Sequence, residues 1–243
     1  MQEQENWLGF GDGCRQDVPM TMHIILPTAE GGIVWVTDTT VGLGTDNNFA
    51  TLDKVLYVQP KNAACSCWGN QGLAVTIQLG KWIREGAIDL ADSKAVTDLI
   101  ERFCLTMMIP LFGANYSQPA TQVVVVTCLD SSPRVYFGKM GLPPIAYPAD
   151  NLICAGDADN PCRIFVEHYY NLSSKTTNEA LFLGVHAMRK ANQQKAAYIG
   201  PPNAWVCGKG VFKRLTEVEL RRCIVASEAL DSAILSAASA FKL

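Results

Sequence analysis

Three side chains near the start of the sequence, those of Thr21, Asp38 and Lys54, are the ones that an N-terminal nucleophile requires. In a chain that began at Thr21, the free α-amine would act as general base for the residue's own Oγ. Lys54 would lower the pKa of nearby groups, and Asp38 would hold Lys54 in place. An α-amine has an unperturbed pKa of about 8, close enough to neutrality to accept and return a proton. In such a chain these residue types would form an N-terminal nucleophile.

A predicted hairpin would bring these side chains together. Two short apolar runs, 21–26 and 33–38, flank a turn whose glycines can adopt positive φ. Because the far ends of a hairpin are neighbours, Thr21 is expected beside Asp38. Lys54 opens a third β-rich run and can reach the same strand end. Composition and spacing alone also fit an edge-strand threonine, a turn aspartate and a surface lysine, since all three residue types are common.

The stretch from Thr21 to Lys54 resembles the start of a proteasome-type β subunit, in the threonine-peptidase branch of the N-terminal nucleophile hydrolases. Further matches follow in the family's order: Cys67 to Gln71 before a helix, Val123 to Leu129 as an apolar strand, Cys154 to Asp157 before another helix, and Tyr198 to Pro202 before a closing strand. The resemblance spans roughly Thr21 to Leu215 and depends on the order and spacing of these motifs.

The resemblance implies a role for each matching residue. Thr21 would be the nucleophile, Lys54 the cation that lowers pKa values, and Asp38 the group that orients Lys54. The backbone amide of Gly69, at a strand-to-helix turn, would stabilise an oxyanion; a simple turn glycine is the alternative. The implied substrate is a peptide or unfolded protein, and the implied assembly is a homo-oligomeric ring with an ATPase as a candidate partner.

Two supporting side chains of active proteasome-type subunits are missing. A serine belongs in the turn that here reads Cys154-Ala155-Gly156, and Ala196 stands where an aspartate would fall. Asp157 can substitute for one of them, although a helix N-cap is its simpler role. A catalytically inactive structural subunit of the same fold is therefore the alternative to a peptidase. A hydrolase of another amide substrate is a third reading, because fold does not fix substrate.

The order of predicted elements indicates the fold class. β-hairpins alternate with pairs of helices, and helix pairs inserted between strand groups cannot all lie on one face of one sheet. An α+β fold is expected, a four-layer αββα sandwich of two antiparallel sheets flanked by helices. Residues 1–20 are interpreted as an N-terminal extension or propeptide, or as upstream of a true start at Met20. Residues 21–243 are interpreted as one domain that ends in a helix over 217–241.

Composition excludes several function classes. Hydrophobic residues make up 49% of the chain, charged ones 18%, and the net charge is -3, which gives no electrostatic case for nucleic acid. No unbroken apolar run is long enough for a bilayer, and residues 1–19 lack the apolar core of a secretory signal. No membrane partner and a cytoplasmic location are therefore expected.

The cysteines and histidines show no metal-binding spacing. The nine cysteines are scattered through apolar segments and are expected to be buried free thiols. His23, His168 and His186 lie far apart and are interpreted as packed or surface side chains. No metal and no cofactor are expected.

Overall fold

The computed structural model describes residues 21–42, 49–68, 72–112, 122–129, 132–140, 143–156, 161–194 and 199–240. Twelve strands lie in these ranges: β1 (Met22–Pro27), β2 (Ile33–Asp38), β3 (Thr40–Gly42), β4 (Phe49–Thr51), β5 (Leu56–Val58), β6 (Ala63–Trp68), β7 (Gln122–Cys128), β8 (Pro133–Lys139), β9 (Ile145–Ala149), β10 (Ile153–Gly156), β11 (Pro202–Gly208) and β12 (Val211–Arg214). The α-helices there are α1 (Gly72–Glu85), α2 (Ser93–Phe112), α3 (Pro161–Asn171), α4 (Thr177–Gln193) and α5 (Glu217–Ala240).

The long strands form two five-stranded antiparallel sheets. The first has the order β10-β1-β2-β11-β12 and the second β5-β6-β7-β8-β9, while β3 and β4 pair only with each other. The hairpin predicted at 27–32 joins β1 to β2, and its register pairs His23 with Thr37. Gly31 takes φ 74° in the turn, and Thr28 Oγ1 accepts a hydrogen bond from the Gly32 amide at 3.0 Å.

Alternation along the strands gives each sheet two apolar faces. In β1, Ile24 packs with α4 in one core cluster, whereas Ile25 packs in another cluster that also contains residues of the second sheet. In β7, Val123 packs with α1 and α2, whereas Val124 faces the first sheet. The layers therefore run helices, sheet, sheet, helices, because successive side chains of a strand point to opposite faces. The predicted α+β four-layer fold is confirmed.

The helices attach to the sheets through buried stripes. α1 and α2 cover the second sheet with core side chains such as Leu79 and Phe103. α4 covers the first sheet and begins at Thr176, whose side chain forms a reciprocal capping box with Glu179. α5 packs its first turns on α4 through Leu220 and neighbouring side chains.

The sequence analysis did not predict two of the strand pairs. β9 carries Pro148 and has no alternating apolar pattern, and it pairs Tyr147 with Phe137 of β8. Pro148 is tolerated there because β9 is an edge strand, where a missing amide donor breaks no inner ladder. The ribbon of β3 and β4 was missed because each strand has only three residues.

The prediction of free thiols is wrong for one pair of cysteines. Cys128 and Cys207 form a disulfide with a Cα–Cα distance of 6.3 Å, although 79 positions separate them in sequence. They lie on β7 and β11, so the bond joins the two sheets at the end of the sandwich away from Asp38, which pairs with Pro202. Spacing along the chain gave no sign of this pairing. The free thiols of the described part are Cys65, Cys67, Cys104, Cys154 and Cys223.

Helix α5 is long and mostly uncovered. It has 24 residues, its most apolar stretch has a mean hydropathy of 1.3, and only 6% of that stretch is buried. By length and composition alone it qualifies as a membrane span, which the sequence expectation overlooked because that expectation considered only unbroken apolar runs. A single such helix is weak evidence for a span.

Candidate active site

The structure brings Thr21, Asp38 and Lys54 into direct contact. Lys54 Nζ donates to Thr21 Oγ1 at 3.0 Å and to the two carboxylate oxygens of Asp38 at 2.9 and 2.8 Å. Asp38 is fully buried and the Lys54 side chain is 7% exposed, whereas Thr21 is half-buried. One ammonium group therefore bridges an accessible hydroxyl and a buried carboxylate.

Backbone amides surround the Asp38 carboxylate. Oδ1 accepts from Met22 N at 2.9 Å, and Oδ2 accepts from Thr40 N at 3.1 Å and from Gly200 N at 3.2 Å. Together with the Lys54 ammonium, these donors offset the cost of burying a charged group. They also hold the carboxylate in one orientation, so the position of Lys54 Nζ is set by rigid strand ends.

The environment of Lys54 shifts its acid–base chemistry. Burial lowers the pKa of the Lys54 ammonium below its usual value, and the neighbouring Asp38 carboxylate opposes that shift. A partly desolvated ammonium that donates to a hydroxyl stabilises negative charge on that oxygen more strongly than a solvated one does. The contact thus favours a nucleophilic Thr21 oxygen.

Two glycines allow the backbone to close around this cluster. Gly156 has φ 108°, and a Cβ built on it would lie 1.6 Å from the Thr21 carbonyl oxygen. A Cβ on Gly200 would lie 2.1 Å from Thr40 Oγ1, so only glycine lets this amide reach Asp38. Neither role was identified from the sequence, although both glycines stand in the motifs that carry the resemblance.

Several residues of the predicted site lie outside the described residues. Gly69, the expected oxyanion donor, is one of them, and so are Asp157 and Ala196. Ala155 is described, and it pairs with His23 in the β1–β10 ladder and contributes only a methyl group to the core between the sheets. The serine hydroxyl found in active proteasome-type subunits is therefore absent from this strand.

The described residues do not assemble a metal site. No group of three or more histidine, cysteine, aspartate or glutamate side chains in that part of the chain could hold a metal ion. The polar side chains of the site are a hydroxyl, an ammonium and a carboxylate that is already saturated by donors.

Comparison with known proteins places this geometry in a known fold. No protein-family model matches the chain, and no curated protein matches it significantly. Among solved structures, Anbu (ancestral β-subunit) from Yersinia bercovieri matches with a TM-score of 0.70, at 12% identity, over 91% of this chain and 98% of that one. The chain has the fold of Anbu.

A second solved structure agrees with this result. The Gly-1 mutant of Anbu from Hyphomicrobium sp. strain MC1 matches with a TM-score of 0.62, at 15% identity, over 92% of this chain and 98% of that one. Sequence identities this low show the fold alone. The αββα fold implied by the resemblance is thus confirmed, with Anbu as a structural neighbour.

Proposed function

We propose that this protein is a threonine-type peptidase that works as a subunit of a proteasome-like ring and uses Thr21 as an N-terminal nucleophile. The observation that carries the proposal is the Lys54 ammonium, which contacts Thr21 Oγ1 and both oxygens of Asp38. Burying Lys54 costs free energy, which the Asp38 carboxylate offsets, and the buried pair holds the ammonium against the Thr21 hydroxyl.

The proposed reaction begins at the hydroxyl of Thr21. Its proton passes to the free α-amine of the same residue while Oγ attacks the carbonyl carbon of a peptide bond. Lys54 stabilises the charge on Oγ, and the backbone amide of Gly69 is proposed to donate to the oxyanion of the tetrahedral intermediate. The leaving amine takes the proton, and water then hydrolyses the ester, returning Oγ–H to Thr21.

Accessibility supports this division of roles. Thr21 is half-buried, whereas Asp38 and Lys54 are buried. The nucleophile thus keeps some exposure to solvent, while the charged pair is shielded from water, which strengthens its electrostatic effect.

A chain that begins at Thr21 tests the proposal against a matched chain that begins at Met20, both released in vitro from an N-terminal tag so that no cellular aminopeptidase removes Met20. Both contain every residue of the site, but only the first has the α-amine next to its own Oγ. The proposal predicts hydrolysis of fluorogenic peptides by the first chain, loss of hydrolysis in its Thr21→Ala variant, and retention in Thr21→Ser. Equal hydrolysis by both chains would contradict it.

The inactive structural subunit is the second candidate function. It is favoured by Ala155, which leaves the strand beside the nucleophile without a hydroxyl donor. A folded chain that begins at Thr21 and hydrolyses no peptide in a broad substrate panel would establish this alternative.

Self-association is proposed from the outer helices. Large apolar side chains are exposed on α3, directly after it and on α5, among them Ile164, Leu172, Val225, Ile234 and Leu235. Burying such side chains against a second copy would remove apolar surface from water. Light scattering is expected to show a homo-oligomer, and Ile234→Glu with Leu235→Glu is expected to weaken it. Unfolded protein as substrate, an ATPase partner and a cytoplasmic location stay predictions.

A further inference from the structure

A chain of hydrogen bonds crosses between the two sheets directly behind the candidate site. Trp35 Nε1 donates to His23 Nδ1 at 3.1 Å, His23 Nε2 lies 3.3 Å from Ser66 Oγ, and Ser66 Oγ donates to the Lys54 carbonyl at 2.6 Å. Because Nδ1 accepts from the indole, the ring proton belongs on Nε2, which donates to Ser66 Oγ. Every bond in this chain has one direction, from Trp35 to the backbone of Lys54.

His23 is held in its neutral form. It is fully buried, and its ring centroid lies 5.8 Å from that of Trp35 and 4.9 Å from that of Trp68. Burial lowers the pKa of His23 well below its usual value, and the Lys54 ammonium lowers it further. Protonation would place an N–H donor at Nδ1, where it would face the N–H donor of the Trp35 indole. The chain of hydrogen bonds therefore requires the neutral imidazole.

The chain joins the strand of the nucleophile to the segment of the lysine. Thr21 and His23 are two residues apart and therefore face the same side of their strand, toward the second sheet. Lys54 precedes β5 of that second sheet, and the β5–β6 ladder begins only at Leu56, opposite Cys65. The Lys54 carbonyl thus has no ladder partner, and the Ser66 hydroxyl takes that place.

We infer that His23 and Ser66 are positioning residues, which fix the Lys54 backbone relative to the strand of Thr21 so that Nζ meets the Thr21 oxygen. A lysine side chain has four rotatable carbons, so contact at 3.0 Å requires its backbone to be held. The salt bridge to Asp38 holds the ammonium end of the Lys54 side chain. The inference rests on the proposed function for its catalytic meaning, but the geometry can be tested without any peptidase activity.

The test replaces the nucleophile with a titratable reporter. In a Thr21→Cys chain the thiol lies against the Lys54 ammonium, which lowers the thiol pKa and raises its reactivity at neutral pH. The rate of alkylation by iodoacetamide is measured against pH, and the label at position 21 is quantified by peptide mass spectrometry. A Lys54→Met variant gives the reference rate without the ammonium.

Three further variants are compared in this background. Ser66→Ala removes the bond to the Lys54 carbonyl, and His23→Asn keeps an acceptor for the indole but cannot reach Ser66. His23→Gln retains a donor at the position of Nε2 and so serves as the conservative rescue. Thr127→Val is the matched control, because Thr127 Oγ1 is buried in the same sheet and has no hydrogen-bond partner within the described residues.

The expected result is a graded loss of thiol reactivity. Ser66→Ala and His23→Asn should slow alkylation at pH 7 by roughly three- to tenfold, which corresponds to a rise in thiol pKa of about half to one unit. His23→Gln and Thr127→Val should stay within about twofold of the parent. Thermal unfolding of each variant shows that the compared chains are folded.

The outcomes separate this inference from the proposed function. If Lys54→Met slows alkylation but Ser66→Ala behaves like Thr127→Val, the positioning role is overturned and the Lys54 contact stands. If Lys54→Met itself has no effect, the contact between Lys54 and position 21 is wrong, and the proposed function fails with it. If His23→Asn does not fold, Ser66→Ala alone decides.

Discussion

Removing the charge of Lys54 should destabilise the protein through the carboxylate that is left behind. Lys54→Met keeps most of the side-chain volume but removes the ammonium that lies 2.8 Å from Asp38 Oδ2. Asp38 is fully buried, so its charge would retain only the backbone donors of Met22, Thr40 and Gly200. A buried charge without its counter-ion is one of the few single changes that cost several kcal/mol.

The magnitude follows from the distance and the burial. At an effective dielectric constant of about 20, two unit charges 2.8 Å apart attract by roughly 6 kcal/mol. Part of this attraction is offset by the cost of burying the ammonium, whose lowered pKa reports that cost. The net loss in Lys54→Met should be about 3–5 kcal/mol, the range for breaking a buried pair by removing one partner.

Urea unfolding followed by circular dichroism measures this loss, and a double-mutant cycle assigns it to the pair. Asp38→Asn should also be destabilising, because it leaves Lys54 charged and buried. The double variant should be more stable than the sum of the two single losses predicts, by at least about 2 kcal/mol, since neither orphaned charge remains. Losses that add without coupling would refute the conclusion that Lys54 and Asp38 form one buried unit.

Three smaller perturbations also have definite expected outcomes. Gly156→Ala should prevent the Thr21 strand from docking and abolish peptide hydrolysis, whereas Gly31→Ala should change only stability, by about 1 kcal/mol. In the wild type, the lowered pKa of His23 means that the unfolded chain binds a proton below about pH 6.5 that the folded chain does not bind, so acid lowers the free energy of unfolding. This loss amounts to at most about 1.4 kcal/mol per pH unit. His23→Gln should remove it. Cys128→Ala should lower the free energy of unfolding by about 4.5 kcal/mol, the loop-closure value for a separation of 79.

Each of these outcomes has its own control. Gly31 also has a positive φ of 74° but no atom within 4 Å of a built Cβ, so it separates backbone strain from collision. Burial lowers the pKa of His186 as well, and its contribution cancels when the acid slope of His23→Gln is compared with wild type. A reductant should destabilise the wild type but not Cys128→Ala; equal sensitivity of both would contradict the cross-link.

The sequence predicted the parts of the site that depend on local structure. The turn at 27–32 and the flanking apolar runs define a hairpin, and the hairpin places Thr21 beside Asp38. The position of Lys54 at the head of the next β-rich run was enough to predict that its ammonium reaches the same strand end. The hairpin contact follows from strand alternation and turn chemistry, whereas the contact of Lys54 also depends on how the second sheet stacks on the first.

Contacts between elements that are distant along the chain could not be predicted from the sequence. Ser66 meets the Lys54 carbonyl only because the β5–β6 ladder begins two residues later, a register that no local pattern encodes. The Cys128–Cys207 bond depends on how two sheets stack. Gly200 reaches Asp38 across 162 positions of sequence. Each of these features requires the tertiary arrangement, which periodicity cannot supply.

The central claim is that Thr21 acts with its own free amine, and the identity of the N-terminal residue tests it most directly. The measurement is the intact mass, with N-terminal sequencing, of the natively expressed protein and of its Thr21→Ala variant. The account predicts a wild-type chain that begins at Thr21, and retention of the preceding residues in the variant would show that the protein cuts itself. A wild-type chain that retains residues 1–19 would contradict the account, because a blocked Thr21 has no amine to serve as the base.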